Sequence, residues 1–336
     1  MATIRAYEVR DKALVPVERP EPVAGPGQVV VCIRATSLNY RDLMIVRGEY
    51  KRNQVNGVVP LSDGAGEVVA VGPGVTRFAV GDRVAATFMQ SWTSGPIGPH
   101  HGSSALGGAI DGTLAERVAF AAAGLVRIPE HLSFEQAATL PCAAVTAWNA
   151  LFDTATTRPG QTVLVQGTGG VSLFALQLAR AAGARVIATS SSDAKLARVR
   201  ELGAAATINY KTTTAWGEEA LRITDGVGVD HVIDVGGAGT FEQSLAAVRL
   251  GGTISYIGVL SGVGGQVSPG QILLKNARVH GIFVGSRAMF EALNAALAES
   301  RILPVIDRVF RFDQAADAYR YLESGAHVGK VVISVD

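Results

Sequence analysis

Between Thr162 and Ala188 the spacing of apolar positions changes twice. Val163 to Val165 form an unbroken apolar run, the pattern of a parallel strand covered on both faces. Beyond Gly167, Gly169 and Gly170, the residues Val171, Phe174, Ala175, Leu178, Ala179 and Ala182 recur at three-and-four spacing. That period predicts a helix with one face on a sheet, stopping at Gly183, and a second strand follows over Arg185 to Ala188. The alternation continues with a strand Ala206 to Tyr210, a helix near Ala215 to Ile223 and a strand Val229 to Val235. A helix Phe241 to Leu250, a strand Thr253 to Ile257 and a last strand Val279 to Val284 complete it. Strands and helices in this alternation predict an α/β fold with a six-stranded, doubly wound parallel sheet.

The flanks carry a different pattern. Residues 1 to about 140 hold short alternating strands broken by Gly and Pro, such as Gln28 to Ala35 and Gly66 to Val71, which predicts a mainly antiparallel, barrel-like domain. After a helix Arg287 to Ser300 come a helix capped by Asp313 and ending near Gly325, then a closing strand Lys330 to Val335. The expected organisation is a barrel-like domain over 1–141, the doubly wound domain over 142–286, and a segment 287–336 that rejoins the first domain. No internal repeat marks a solenoid.

Composition narrows the partners. A chain of 336 residues, 48% hydrophobic, buries enough core for two domains. Its net charge of +1 and lack of basic runs argue against nucleic acid and for a small-molecule substrate. No segment approaches the roughly 20 apolar residues of a membrane span. The first ten residues carry charges where a signal peptide needs an apolar stretch, so a cytoplasmic protein without membrane attachment is expected. Only Cys32 and Cys142 are present, which excludes a disulfide framework and a four-cysteine zinc lobe.

The glycine turn carries the first chemistry. Gly167, Gly169, Gly170 and Val171 open a helix directly after a buried strand, the setting in which backbone amides approach a pyrophosphate. The third glycine of G-x-G-x-x-G is replaced by Ser172, a residue small enough for close helix-to-strand packing. An NAD-binding unit places an acid about 20 residues beyond the first glycine to bind the ribose hydroxyls. Here the second strand ends in Thr189, Ser190, Ser191 and Ser192, followed by Asp193 and Lys195. Hydroxyls and an ammonium suit a 2′-phosphate, so NADPH is expected rather than NADH. A serine-rich turn in which Ser192 or Asp193 caps a helix Ala194 to Leu202 is equally compatible.

Five stretches taken together carry a family resemblance. They are Ser37-Leu38-Asn39-Tyr40-Arg41-Asp42, Gly64-Ala65-Gly66-Glu67, Gly81-Asp82-Arg83-Val84, Gly167-Thr168-Gly169-Gly170-Val171 and Gly329-Lys330-Val331-Val332. The chain resembles the medium-chain dehydrogenase/reductase superfamily over essentially its whole length. The resemblance implies a GroES-like catalytic domain, a Rossmann domain inserted before the C-terminal tail, a nicotinamide cofactor and a homodimer joined through the last Rossmann strands. Within the superfamily the chain looks most like quinone oxidoreductases and zinc-type alcohol dehydrogenase-like members, and the Asn39–Asp42 stretch is also similar to enoyl reductases.

The departure from relatives concerns metal. Zinc-dependent members place Cys where this chain has Asn39, and Gly-His-Glu where it has Leu61-Ser62-Asp63; only Cys142 matches a ligand. One soft ligand does not hold zinc, which needs three protein ligands, so no metal is expected and Cys142 reads as a small buried apolar residue. His100 and His101 are adjacent and rarely converge on one ion; a mobile loop is the plainer reading.

Without zinc, conjugated acceptors are the tractable substrates. Hydride arriving at the β-carbon of an enone or quinone sends charge to oxygen as an enolate, which ordinary donors stabilise. A tyrosine, neutral at pH 7 with a reference pKa of about 10, supplies the proton, and Tyr40 and Tyr50 are the candidates. Either ring is equally read as apolar packing. By resemblance, Asn39 and Thr146 stand on the nicotinamide side, Lys330 faces the pyrophosphate, and Tyr210 accompanies Lys195 at the 2′-phosphate. The alternatives for Asn39, Thr146 and Lys330 are a turn residue, a helix-interior hydroxyl and a solvated lysine, respectively. Gly258, Val259 and Val284 end strands at the edge where such sheets bind ligands. Arg41, Asp42 and Asp63 read as structural charges between strands, and Trp92, Trp148 and Phe283 as core. The expected activity is zinc-independent NADPH reduction of quinones or α,β-unsaturated carbonyls. An alcohol dehydrogenase using tyrosine or water in place of metal, and an NADPH-binding protein without turnover, are the alternatives.

Overall fold

A computed structural model describes residues 2–50, 55–262, 264–265 and 267–335. The chain divides into two compact units, Met1–Val145 with Gly285–Asp336, and Thr146–Val284.

The second unit is the doubly wound sheet. Among the described residues its six strands run in the order Ala206–Asn209, Arg185–Ser190, Thr162–Gln166, Val229–Asp234, Val248–Tyr256, Arg278–Gly281, and every pairing is parallel. The strand order reverses beside Thr162–Gln166, which places the glycine turn at the switch point. Leu164, Ile187, Val232 and Ile254 are fully buried in one cluster with Trp216, Phe241 and Leu245 from the covering helices. The continuous apolar runs of the sequence are thus strands covered on both faces.

Several boundaries differ from expectation, most of them by a few residues, and two of the differences lie in the second half of this sheet. The helix starting at Phe241 ends at Ala247, and Val248 already belongs to the next strand, because Gly251 takes φ +69° within a stretch too rich in glycine to continue a helix. The last strand closes at Gly281, so Val284 lies beyond the ladder.

In the first unit a seven-stranded sheet joins Ile306–Arg311, Lys330–Ser334, Gln28–Ser37, Asp63–Val71, Arg83–Ala86 and Leu125–Arg127, with Arg117–Ala121 also pairing with Gln28–Ser37. All pairings are antiparallel except that of Ile306–Arg311 with Lys330–Ser334. Strand Lys330–Ser334 is central and buried, and it brings the C-terminal end of the chain against Ser37 and Thr36. Thr3–Arg10 and Ala13–Pro20 form a hairpin whose two turn residues, Asp11 and Lys12, both take positive φ as a type I′ turn requires. Asp313 does not cap the last helix: it pairs with Arg311 inside a single 3₁₀ turn, and Gln314 occupies the cap of Ala315–Glu323. The segment around His100 is a short 3₁₀ helix rather than a mobile loop. His101 Nδ1 accepts the Gly98 N–H at 2.7 Å and its ring stacks on Trp92.

Candidate functional site

The glycine turn of the second unit is built as an open cradle. Gly167 takes φ +71°, a conformation that side-chain residues seldom adopt, and its N–H donates to Thr189 O at 2.8 Å. No protein atom lies within 4 Å of where a Cβ would stand on Gly167 or Gly169. Gly169 caps the 12-residue helix Gly170–Ala181 without a side chain, so the first amides of that helix stay available to an anion. Val171 sits half-buried in the first turn. Ser172 is buried, and its hydroxyl donates to Gln166 O at 2.6 Å, so the missing third glycine leaves no polar group unsatisfied.

The end of the second strand gathers hydroxyls, with Lys195 in the first turn of the helix that follows. Ser190 is buried and Ser191 half-buried; the backbone N–H of the exposed Tyr210 donates to Ser190 O at 3.0 Å. Ser192 Oγ accepts the Lys195 N–H, so the capping role and the placing of Lys195 in the first turn of Asp193–Glu201 occur together. These residues fit a nicotinamide dinucleotide, with the open glycine turn for its pyrophosphate.

At the carboxyl edge the sequence reading missed a network. Asp234 is fully buried; its Oδ1 accepts from Gly236 N, Gly237 N and Thr240 Oγ1, and its Oδ2 from Ser244 Oγ at 2.6 Å. Gln166 joins by donating to Ser244 Oγ. The available signal was an acid at a strand end followed by Gly236-Gly237. Gly258 has a packing cause of its own, since a Cβ there would stand 1.8 Å from Val235 O. Val259 is half-buried beside it. Val284 takes φ +54°, an outlier for a β-branched residue, and its carbonyl accepts from Asn149 Nδ2 at 2.7 Å. Asn149 starts a π-helical turn, Asn149–Thr154, directly after the short helix Val145–Trp148 that buries Thr146.

In the first unit Leu38, Asn39 and Asp63 converge on an ammonium. Lys330 is 3% exposed, and its Nζ donates to Leu38 O at 2.7 Å, Asn39 Oδ1 at 2.6 Å and Asp63 Oδ2 at 3.3 Å. A lysine carries three N–H donors, and all three have acceptors here. It is neither solvated nor on an exposed strand. Asp63 is fully buried and also accepts from Ser37 and Ser62. Leu61 takes φ +69°, the conformation that glycine adopts without cost. Cys142 is half-buried rather than fully buried as expected; it lies within electrostatic reach of Asp63 and Lys330, and desolvation pushes its thiol pKa upward.

Asn39 precedes the helix Tyr40–Val46, and its backbone N–H donates to Asp42 Oδ2 at 2.7 Å. Arg41 and Asp42 therefore share one helix rather than linking strands. Asp42 is fully buried, and desolvation outweighs the nearby Arg41 charge, raising its pKa to about 6. The Arg41 guanidinium lies over the Tyr50 ring at 5.0 Å and the Phe88 ring at 4.6 Å, and donates to Leu106 O. Tyr50 also packs against the cluster of Val9, Ile45 and Val58. Tyr40 is 37% exposed at the start of its helix.

This donor set is a poor fit for zinc: the Lys330 ammonium already sits on the Asn39 amide oxygen at 2.6 Å and the Asp63 carboxylate at 3.3 Å, and its positive charge opposes a dication there. Among the described residues no group of three or more His, Cys, Asp or Glu side chains is placed to hold a metal ion.

Residues 25–130 match the alcohol dehydrogenase GroES-like domain, and residues 170–299 match the zinc-binding dehydrogenase domain. A zinc-type alcohol dehydrogenase-like protein of Schizosaccharomyces pombe is 49% identical, covering 93% of this chain and 92% of the relative. An acryloyl-coenzyme A reductase of Metallosphaera sedula is 31% identical over 98% of this chain and 97% of its own. A crystal structure of a putative alcohol dehydrogenase from Sinorhizobium meliloti 1021 superposes with a TM-score of 0.94 at 40% identity, covering 100% of both chains.

Proposed function

The chain belongs to the medium-chain dehydrogenase/reductase superfamily as an NAD(P)H-dependent oxidoreductase, and from that premise we propose that it uses NADPH to reduce quinones or α,β-unsaturated carbonyls without a catalytic metal. The observation that carries this reading is the Lys330 ammonium, held by the Leu38 carbonyl and by Asn39 and Asp63, at whose positions the family resemblance puts Cys and Glu in zinc-dependent members. A site without a Lewis acid favours acceptors whose negative charge spreads over a conjugated system. The acryloyl-coenzyme A reductase among the relatives is named for an acceptor of that kind.

The bound nicotinamide supplies a hydride. The amides at Gly167, Gly169, Gly170 and Val171 hold the pyrophosphate; Ser190, Ser191, Lys195 and Tyr210 hold the 2′-phosphate and select NADPH over NADH. Asn39, Thr146, Gly258, Val259 and Val284 orient the nicotinamide half. Tyr40, the more exposed of the two tyrosines, delivers the proton from its hydroxyl, whereas Tyr50 serves as a platform for Arg41.

The protein acts as a cytoplasmic homodimer in this reading. Its sheet ends at the edge strand Arg278–Gly281, next to Leu273 and Leu274, each 79% exposed, a surface suited to a second copy. No described helix is long and apolar enough to cross a membrane.

Anaerobic assay against a panel of enones and quinones tests the proposal. NADPH oxidation should appear with conjugated acceptors, and Tyr40→Phe should slow it about 100-fold while Tyr50→Phe keeps most of the rate. Absence of NADPH oxidation across the panel defeats the reading.

A further inference from the structure

The amide of Asn39 has only one orientation open to it. An ammonium offers hydrogens and no acceptor, so the atom facing Lys330 Nζ at 2.6 Å is the amide oxygen. The Nδ2 end then points away from Lys330, and it is buried without a hydrogen-bond partner. A buried donor left unmade costs about 1–3 kcal/mol, which an acceptor on a bound ligand would recover. Lys330 is itself fixed by the fully buried Asp63, which takes hydroxyl hydrogens from Ser37 and Ser62 as well. The chain of contacts runs from Ser37 and Ser62 through Asp63 and Lys330 to the amide oxygen of Asn39, and it ends on an unused N–H.

We propose that Lys330 is a positioning residue that replaces the metal of zinc-dependent relatives by locking the Asn39 amide, so that Nδ2 presents a hydrogen-bond donor to a carbonyl oxygen. This inference rests on the reading of the site as a nicotinamide-dependent reductase. Its acceptor is a carbonyl oxygen, supplied by the carboxamide of the nicotinamide or by the substrate. With all three of its hydrogens committed, Lys330 does not bind the pyrophosphate; it acts through Asn39. The relatives' metal and this lysine are both cations, but the metal takes up substrate oxygen directly, whereas the ammonium hands the task to a neutral amide.

A double-mutant cycle of Asn39→Asp and Lys330→Met tests the inference. Asn39→Asp keeps an acceptor for Lys330 and replaces the donor with a carboxylate oxygen, adding one negative charge. Lys330→Met removes the lock; where it fails to fold because Asp63 is left buried and unpaired, Lys330→Met combined with Asp63→Asn serves instead. Two quantities are read, the dissociation constant of NADPH by nucleotide fluorescence and kcat with a conjugated acceptor.

Each single variant should weaken NADPH about 10-fold if the acceptor is the carboxamide. Each should lower kcat about 100-fold at unchanged affinity if the acceptor is the substrate. In either case the double variant should be no worse than the singles. Lys330→Met should also bind 2′-phospho-ADP-ribose, which has the pyrophosphate and no nicotinamide, as tightly as the parent.

Tolerance of Asn39→Asp, losses that multiply in the double variant, or weakened 2′-phospho-ADP-ribose binding overturns the inference. If the parent turns over no acceptor, the proposed function fails by itself. The affinity measurement then decides the inference alone, with unchanged values refuting it.

Discussion

Asn149 Nδ2 donates to the carbonyl oxygen of Val284 at 2.7 Å, and that carbonyl belongs to a β-branched residue held at φ +54°. Left-handed backbone of this kind costs about 1–3 kcal/mol and persists where neighbours enforce it. Thr154 Oγ1 donates to the other end of the same amide at 2.9 Å, so Asn149 is fixed from both sides. Asn149→Ala should destabilise the protein by about 1–3 kcal/mol in denaturant unfolding, and Val284→Gly introduced on that background should recover part of the loss. Full stability of Asn149→Ala would show that the strain is held elsewhere.

Two glycines of the second unit separate binding from folding. A side chain on Gly169 meets empty space, so Gly169→Val should leave the melting temperature within a few degrees while weakening NADPH by about 100-fold or more through obstruction of the pyrophosphate. Gly258→Ala drives a Cβ into Val235 O and should destabilise the fold outright. Thermal melts paired with cofactor titration read both; unchanged NADPH affinity in folded Gly169→Val would refute the glycine-turn assignment.

Cofactor choice rests on the corner of Ser190, Ser191, Lys195 and Tyr210. Lys195→Ala should weaken NADPH by about 10-fold and NADH by little, since a charge-assisted hydrogen bond is worth about 1.5–3 kcal/mol. Equal losses for both nucleotides would contradict the phosphate role.

Asp42 and His231 give pH dependences of opposite sign. Burial raises Asp42 to about 6, so its stabilising contribution is complete below about pH 4 and is lost as pH rises through about 6. His231, buried and hydrogen-bonded through Nε2 to Ser255 Oγ, is pushed down to about 4, first by desolvation and then by His280. Its contribution is complete above about pH 6.5 and is lost as pH falls through about 4. Each amounts to about 3 kcal/mol. Relative to the parent, Asp42→Asn should gain stability from pH 4 to 8 and His231→Gln should gain it from pH 7 to 4, read by denaturant unfolding at each pH. Parallel pH profiles for parent and variant would rule out the corresponding group.

The parallel sheet was legible because its cause is local: Val163 to Val165, Val229 to Val235 and the helix face from Val171 to Ala182 carry their burial in their own spacing. The helix running on past Ala247 was misread because Val248 and Leu250 continue an apolar rhythm that only the strand pairing of Val229–Asp234 resolves. Lys330 was beyond any local pattern. Its three acceptors come from Leu38, Asn39 and Asp63, about 290 and 270 positions away in sequence, and a lysine near a chain end reads as solvated until those partners are seen. Asn149 was missed for the same reason, since its partner lies 135 residues further on.

The most direct test of the central claim is acceptor turnover by metal-analysed protein. Purified enzyme containing far less than one transition-metal ion per chain should oxidise NADPH with an enone or quinone at a rate that chelation leaves unchanged. Stoichiometric zinc in the active protein, with the rate abolished by a chelator and restored by readdition, would contradict it.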